Sequence, residues 1–80
     1  MTLLNAPLEK PLKIVDICGG EGIRRKLLSL GFFKGDVIEL DSQAILRGPL
    51  LVRNVRSDTR VALGRGIARG IHVEVLNENR

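Results

Sequence analysis

Residues 19–35 read GGEGIRRKLLSLGFFKG, and the fold is decided by this stretch. Apolar residues recur in it at helical spacing, which predicts a short amphipathic helix over residues 21–30. The apolar stripe of this helix consists of Ile23, Leu27 and Leu30, with Leu28 alongside. Gly31 follows where a helix commonly ends in a left-handed backbone, a conformation that glycine adopts without strain.

Short strands are predicted on both sides of this helix. Runs of aliphatic residues, separated by glycine, proline and Ser-Asp turns, indicate one strand before the helix and four after it. The predicted strands are 12–18, 37–41, 50–56, 60–63 and 71–75. Residues 64–70 are rich in glycine and arginine, and we expect one turn of 3₁₀ helix there.

Two of these strands lack a clean inward face. In the first, Val15 and Ile17 lie opposite Ile14, so the helix is expected to cover the second apolar face. In the third, strict alternation brings either Asn54 or Arg53 into the core, and a β-bulge in this hairpin would resolve the conflict. We therefore expect an irregular middle hairpin.

Five short strands in an 80-residue chain favour one small, mainly β domain. Closure or half-closure into a barrel removes exposed strand edges, which so small a sheet cannot otherwise hide. We expect the barrel domain over residues 10–76. Residues 1–9 are expected to form a flexible N-terminal tail, and residues 77–80 a C-terminal tail.

The composition fits a small binding protein better than an enzyme. The chain has two Phe and no Trp or Tyr, so its core must be aliphatic. A single cysteine excludes an internal disulfide and fits a reducing compartment. No apolar run is long enough to span a bilayer, and residues 1–10 lack the pattern of a signal peptide. We therefore expect a cytoplasmic location.

The stretch 19–35 resembles the signature of the FeoA (ferrous iron transport protein A) family. That signature is a glycine-rich turn, a helix of basic and leucine residues, and Leu-Gly-Phe-x-x-Gly before a strand. Further matches lie downstream, at Gly48-Pro49-Leu50, at residues 60–63, and at Ala68 followed by Ile71. The chain departs from the family at Asn54, where a β-branched apolar residue is usual, and at residues 64–66, which are commonly polar and helical.

The resemblance implies an SH3-like barrel of about five strands, with one short α-helix after the first strand and a one-turn helix before the last. It also implies a non-catalytic accessory protein that works beside the ferrous iron permease FeoB. The expected partner surface is the cytoplasmic part of that permease, which would recruit the protein to the inner face of the membrane. Association with Fe(II) is implied by the family context alone, and no cofactor is predicted.

Cys18 and His72 are the weak candidates for metal binding. A stable metal site needs several converging donors, whereas this chain has one cysteine and one histidine. The simpler interpretation is a semi-buried Cys18 at the end of the first strand and a His72 near solvent on the last. First and last strands are often neighbours in a small barrel, so the two side chains could meet. Two donors are still too few for a stable site, so no metal site is predicted.

Phosphate binding and catalysis have little support. The glycines of residues 19–22 precede a helix, but no Lys-Ser/Thr follows, so they are better explained as a tight strand-to-helix turn. The single histidine has no nucleophile or orienting acid in a recognisable motif, and no catalytic residue is predicted.

The candidate partner-binding residues are Arg24, Arg25, Lys26, Phe32 and Phe33. The three cations are expected on the exposed face of the helix, where Arg24 is a candidate arginine finger toward a GTPase. A merely solvated helix face is the ordinary alternative. One phenylalanine ring is expected to plug the barrel and the other to anchor a partner, and the sequence leaves open which is which.

Two alternatives remain. A net charge of +4 suggests a nucleic-acid-binding SH3-like module, which should show stacking aromatics beside a basic groove. The resemblance also extends to the detached regulatory domain of iron-dependent repressors, although no helix-turn-helix region is present to read DNA.

Overall fold

A computed structural model describes residues 1–43 and 48–76, and in these residues it contains five strands and three short helices. The strands are β1 (Leu12–Ile17), β2 (Val37–Gln43), β3 (Leu50–Asn54), β4 (Thr59–Leu63) and β5 (Ile71–Val75). The helices are an N-terminal 3₁₀ turn (Leu3–Asn5), α1 (Glu21–Ser29) and α2 (Arg65–Ala68). In the described ranges, none of the helices has the length and apolar character needed to cross a membrane.

The strands form one antiparallel sheet in the order β4-β3-β2-β1-β5. The predicted mainly β architecture is confirmed, with a helix after β1 and a one-turn helix before β5. That last turn is α-helical instead of 3₁₀. The first and last strands are neighbours, as expected, because β1 pairs with β5 along its length.

A single core lies inside the curved sheet, under α1. Inward residues of every strand contribute to it, together with Leu27 of α1 and Phe32. The buried strand residues are Leu12, Ile14, Ile38, Leu40, Leu50, Val52, Leu63, Ile71 and Val73. Ile23 and Leu30 pack against this cluster, so the predicted apolar stripe of the helix does cover the barrel.

The end of α1 has the hydrogen bonds of a Schellman motif. Gly31 has a φ of 86°, and its amide donates to the Leu28 carbonyl at 3.0 Å. The Phe32 amide donates to the Leu27 carbonyl at 2.9 Å. This motif normally brings the residue after the glycine against the residue five positions before it. Phe32 and Leu27 are accordingly both buried in the core.

The bulges lie elsewhere than the sequence suggested. The register of β1 with β5 shifts between Ile14 and Asp16, which turns Ile17 toward the core on the same side as Ile14. The prediction that these two residues face opposite ways was therefore wrong. A second shift lies in β2, between Leu40 and Ser42.

Strand β3 itself is regular. It pairs with β4 without a shift in register, and Leu50, Val52 and Asn54 are all buried. The bulge expected in this hairpin is absent, so Asn54 is not turned outward and its amide lies in the interior. Hydrogen bonding to neighbouring groups makes that position tolerable, since a buried polar group without a partner is costly.

Residues 1–9 do not form the flexible tail expected from the sequence. Leu3 is fully buried and Ala6 is 6% exposed, both within the core cluster. Thr2 forms an antiparallel bridge with His72, and the Met1 carbonyl accepts a hydrogen bond from the Val73 amide at 2.9 Å. The segment therefore covers the outer edge of β5, which would otherwise expose unpaired backbone groups. The C-terminal tail predicted at 77–80 lies outside the described residues.

Candidate partner-binding surface

The two adjacent phenylalanines have opposite environments. Phe32 is fully buried, while Phe33 keeps 42% of its surface exposed. The alternative left open by the sequence is thereby resolved: Phe32 plugs the barrel and Phe33 is the exposed ring. The Schellman motif at Gly31 is the signal that predicts this order, because it directs the residue after the glycine onto the helix.

Phe33 borders a shallow groove of about 240 Å³ between α1 and the end of β1. Leu28, which is 51% exposed, borders it from the helix. The lining residues are Asp16, Ile17, Arg24, Leu28, Phe32, Phe33 and Lys34. We call this surface the Phe33 groove. It combines apolar area with two cations and one carboxylate.

Only one of the three basic helix residues lines the Phe33 groove. Arg24 donates through Nε to the Ile17 carbonyl at 3.2 Å, which holds the side chain against β1. Arg25 is 3.6 Å from Glu21, with both side chains about four-fifths exposed, so this pair adds little stability. Lys26 is exposed and lies outside the groove lining. The structure therefore joins Arg24 and Phe33 in one site but not Arg25 or Lys26.

Asp36 is the centre of a polar network beside Phe33. Its side chain is 12% exposed, and its Oδ2 accepts hydrogen bonds from the Phe33 amide, Asn54 Nδ2 and Arg56 Nη2, each at 3.0 Å. Arg56 Nε also donates to Oδ1 at 3.3 Å. The Arg56 guanidinium lies over the Phe33 ring, 5.3 Å from its centroid, which is a cation–π distance. Phe33 is therefore held at both its backbone and its ring.

This network shifts the titration of Asp36. Hydrogen bonding from Arg56 is the largest cause, and it lowers the pKa of Asp36 below the usual 3.8. Burial opposes the shift, while hydrogen bonds from Asn54 and the Phe33 amide and the charge of Arg56 add to it. The hydrogen bonds to Asp36, and then its charge, raise the pKa of Arg56. The charged pair is therefore the form that the folded protein stabilises.

Asp36 should make the domain less stable in acid. Its pKa is lower folded than unfolded, so its contribution is complete above about pH 5 and is lost as the pH falls through the lowered pKa. Urea denaturation of Asp36→Asn should show a flatter decline in the free energy of unfolding between about pH 5 and pH 2 than the wild type. The exposed carboxylate variant Glu74→Gln is the control and should keep the wild-type slope. Equal slopes for wild type and Asp36→Asn would contradict the assignment.

Cys18 and His72 do not form a metal centre in the described part of the chain. Cys18 is exposed, not semi-buried, and its Sγ lies 3.7 Å from Asp16 Oδ2. His72 is half-buried and pairs across the strands with Asp16. Within residues 1–43 and 48–76, no group of three or more His, Cys, Asp or Glu side chains is arranged to hold a metal ion.

Several residues of the surface were not predicted as site residues. Leu28 was placed beside the helix stripe, and Asp36 was not singled out. Alternation in β3 left open whether Asn54 or Arg53 faces inward. The structure buries Asn54, which must find hydrogen-bond partners. The two acceptors of its Nδ2 lie 18 and 23 residues away in the chain, and no local pattern identifies them.

A stacking platform for nucleic acid is missing. The chain has only two aromatic residues of the Phe, Trp and Tyr types, and one of them, Phe32, is buried in the core. A single exposed ring cannot stack successive bases. The Phe33 groove instead combines an aromatic ring and a leucine with arginine, and aromatic residues and arginine are enriched in protein interfaces.

A five-stranded sheet around one core, with an exposed aromatic in a cation-lined groove, defines a small, mainly β domain. The FeoA domain model matches residues 1–75, and the chain belongs to the FeoA family. The match begins at residue 1, in agreement with the packing of Leu3 in the core. Membership places the protein in the context of ferrous iron transport.

Solved structures give the same assignment. A crystal structure of an iron uptake regulatory protein, FeoA, is 28% identical, with a TM-score of 0.81 over 95% of this chain and 96% of that one. The Stenotrophomonas maltophilia FeoA is 29% identical, with a TM-score of 0.74 over 92% of this chain and 89% of that one. It was solved with zinc and described as a prokaryotic SH3 domain protein, with a suggested role as a ferrous iron transport activating factor. The SH3-like fold expected here is thereby confirmed.

A third structure extends the comparison to another organism. The FeoA-like protein of Clostridium acetobutylicum is 25% identical, with a TM-score of 0.82 over all of this chain and 91% of that one. A comparison with curated proteins gave no match.

Proposed function

We propose that this protein is a non-catalytic accessory component of ferrous iron uptake that binds the cytoplasmic part of a FeoB-type permease. Its family membership supports the iron-transport context. The observation that carries the binding role is the exposed Phe33 beside the exposed Leu28, on a barrel whose other phenylalanine is buried. The protein would act in the cytoplasm and reach the membrane through its partner.

The apolar part of the Phe33 groove supplies the anchor. Aromatic residues dominate binding energy when they become fully buried near the centre of an interface. Phe33 and Leu28 both line this groove, so an apolar side chain of the permease that enters it can contact both. Burial of that side chain removes both from water, which is the main source of affinity.

The charged part of the groove supplies orientation. Arg24 and Lys34 line it with one carboxylate, Asp16. A partner segment that carries an apolar residue next to carboxylates would complement this arrangement, since opposite charges steer encounter and fix register. The Arg24 hydrogen bond to the Ile17 carbonyl favours this docking role over that of an arginine finger, because a finger must leave its own domain to reach a nucleotide.

Affinity for the isolated cytoplasmic domain of the permease tests the proposal. Isothermal titration calorimetry, with that domain free and loaded with GDP or a GTP analogue, should show binding in at least one state. Phe33→Ala should weaken it about 30-fold or more, the loss of a hot-spot side chain. Arg24→Glu should weaken it about tenfold and more strongly at low salt, since it reverses a charge that attracts the partner.

Matched controls separate the groove from the rest of the surface. Leu8→Ala removes a similarly exposed apolar side chain, and Lys10→Glu reverses a similarly exposed charge, both outside the groove lining. Each should bind within about twofold of wild type. No binding in any nucleotide state, or groove variants that behave like these controls, would overturn the proposal.

A further inference from the structure

Asn54 is the buried polar residue of the core in the described ranges. Its Nδ2 donates to the Gly31 carbonyl and to Asp36 Oδ2, each at 3.0 Å, and its Oδ1 accepts from the Arg56 amide at 3.0 Å. The amide therefore connects the end of α1, the turn before β2 and the β3–β4 turn. These three segments all border Phe33.

An amide is a costly choice for this position. Asn54 points inward from a regular strand, where asparagine is disfavoured and where an aliphatic residue would pack without needing partners. Two of its hydrogen-bond partners also contact Phe33: Asp36 accepts from the Phe33 amide, and Arg56 lies over the Phe33 ring. Arg56 Nη2 donates to the Gly31 carbonyl as well, at 3.2 Å, so one carbonyl is shared by the amide and the guanidinium.

We propose that Asn54, Asp36 and Arg56 form a clamp that positions Phe33 for docking, with Asn54 as the positioning residue that holds the other two. Asp36 fixes the Phe33 amide and Arg56 covers a face of its ring. The inference rests on the function proposed above, and it assigns to these residues a role in affinity as well as in folding.

The physical basis is preorganisation. A side chain that is mobile in the free protein loses rotamer freedom on binding, which lowers affinity by a factor of about 2 to 12. Phe33 lies in a loop and is 42% exposed, so without the clamp its ring would have few contacts to fix it. With the clamp, the ring is already oriented before the partner arrives.

A double-mutant cycle tests this role. Asn54→Leu keeps the volume of the side chain but removes all three of its hydrogen bonds. In the Phe33 background it should weaken binding of the permease domain about three- to tenfold. In the Phe33→Ala background it should change affinity by less than about twofold, because the ring it positions is absent. A role confined to stability would not produce this dependence on residue 33.

A second readout uses the free protein. Arg56 lies over the Phe33 ring, so the ring current should shift the Arg56 δ-protons upfield in the wild type. In Asn54→Leu the chemical shifts of these protons should return toward random-coil values. If Asn54→Leu does not fold, Arg56→Gln replaces it in the double-mutant cycle, since the Arg56 side chain is 55% exposed and lies outside the core.

Arg53→Gln is the matched control. Arg53 lies on the same strand as Asn54, and its substitution removes ion pairs to Glu39 at 2.9 Å and Asp58 at 3.2 Å, outside the network around Asp36. It should bind like the wild type. An Asn54→Leu protein with wild-type affinity and an unchanged Arg56 shift, or with the same loss in both backgrounds, would overturn the clamp alone. Absence of binding by the wild type would instead overturn the function on which it rests.

Discussion

Phe32→Ala should lower the free energy of unfolding by about 3–5 kcal/mol, because the ring is fully buried and its removal leaves a cavity in the core. A domain of this size has a total stability of about 4–12 kcal/mol. The substitution therefore removes a large share of it and should leave the protein partly unfolded at 37 °C. Urea denaturation followed by circular dichroism gives the difference in the free energy of unfolding directly. A temperature of about 15 °C is suitable, because domains are most stable near it.

The neighbouring residue is the control for this prediction. Phe33→Ala removes the same ring from an exposed site, where the loss is that of a cation–π contact with Arg56, about 0.5–1 kcal/mol. The two variants should therefore differ about fivefold in their effect on stability. Equal losses, or a larger loss for Phe33→Ala, would show that the assignment of the buried ring is wrong.

Gly70→Ala should destabilise the domain by about 2–3 kcal/mol, through a clash between strands. A Cβ on Gly70 would fall on the backbone carbonyl of Cys18, and no side chain can move to relieve that contact. The same residues are joined by a hydrogen bond from the Cys18 amide to the Gly70 carbonyl at 2.7 Å. The added methyl group must therefore separate β1 from β5 where they meet.

Gly66→Ala is the matched control for the same chemical change. Gly66 lies within α2, and a Cβ there would meet no atom within 4 Å. Alanine is the better helix former by about 1 kcal/mol, so this variant should be as stable as the wild type or slightly more so. Thermal melts of both variants check the opposite signs. A neutral Gly70→Ala would contradict the close approach of the two strands.

Local patterns in the sequence were sufficient for the elements that depend on neighbouring residues. The helix stripe around Leu27, the glycine that ends α1 and the alternation of Ile71 and Val73 each follow from a backbone period or a cap. The family resemblance, carried by residues 19–35, then extended these elements to the SH3-like barrel.

The remaining features depend on contacts between distant segments. Whether β1 contains a bulge is decided by its register against β5, so Ile17 could not be assigned a face from β1 alone. Leu3 belongs to a stretch too short for any periodicity, and only the open edge of β5 explains its burial. Alternation in β3 left Asn54 and Arg53 as alternatives for the inward position. The Asn54 partners Gly31 and Asp36 could not be identified, because hydrogen bonds across the fold follow no spacing rule.

The candidate surface was predicted in part for the same reason. A basic helix beside a pair of phenylalanines indicated an interface, and Arg24 and Phe33 do share a groove. Arg25 and Lys26 lie on the helix beyond it, and Phe32 is chiefly a core residue. The exposure of each residue depends on how α1 sits on the barrel, which the sequence of α1 does not specify.

Chemical-shift mapping of the ¹⁵N-labelled protein during titration with the permease's cytoplasmic domain tests the central claim most directly. We expect the largest changes in amide chemical shift at Leu28, Phe33 and Lys34, because the exposed Phe33 ring becomes buried by the partner. Phe32 stays in the core. Changes centred instead on Val55 and the β3–β4 turn, or on the N-terminal segment, with the groove amides unmoved, would contradict it.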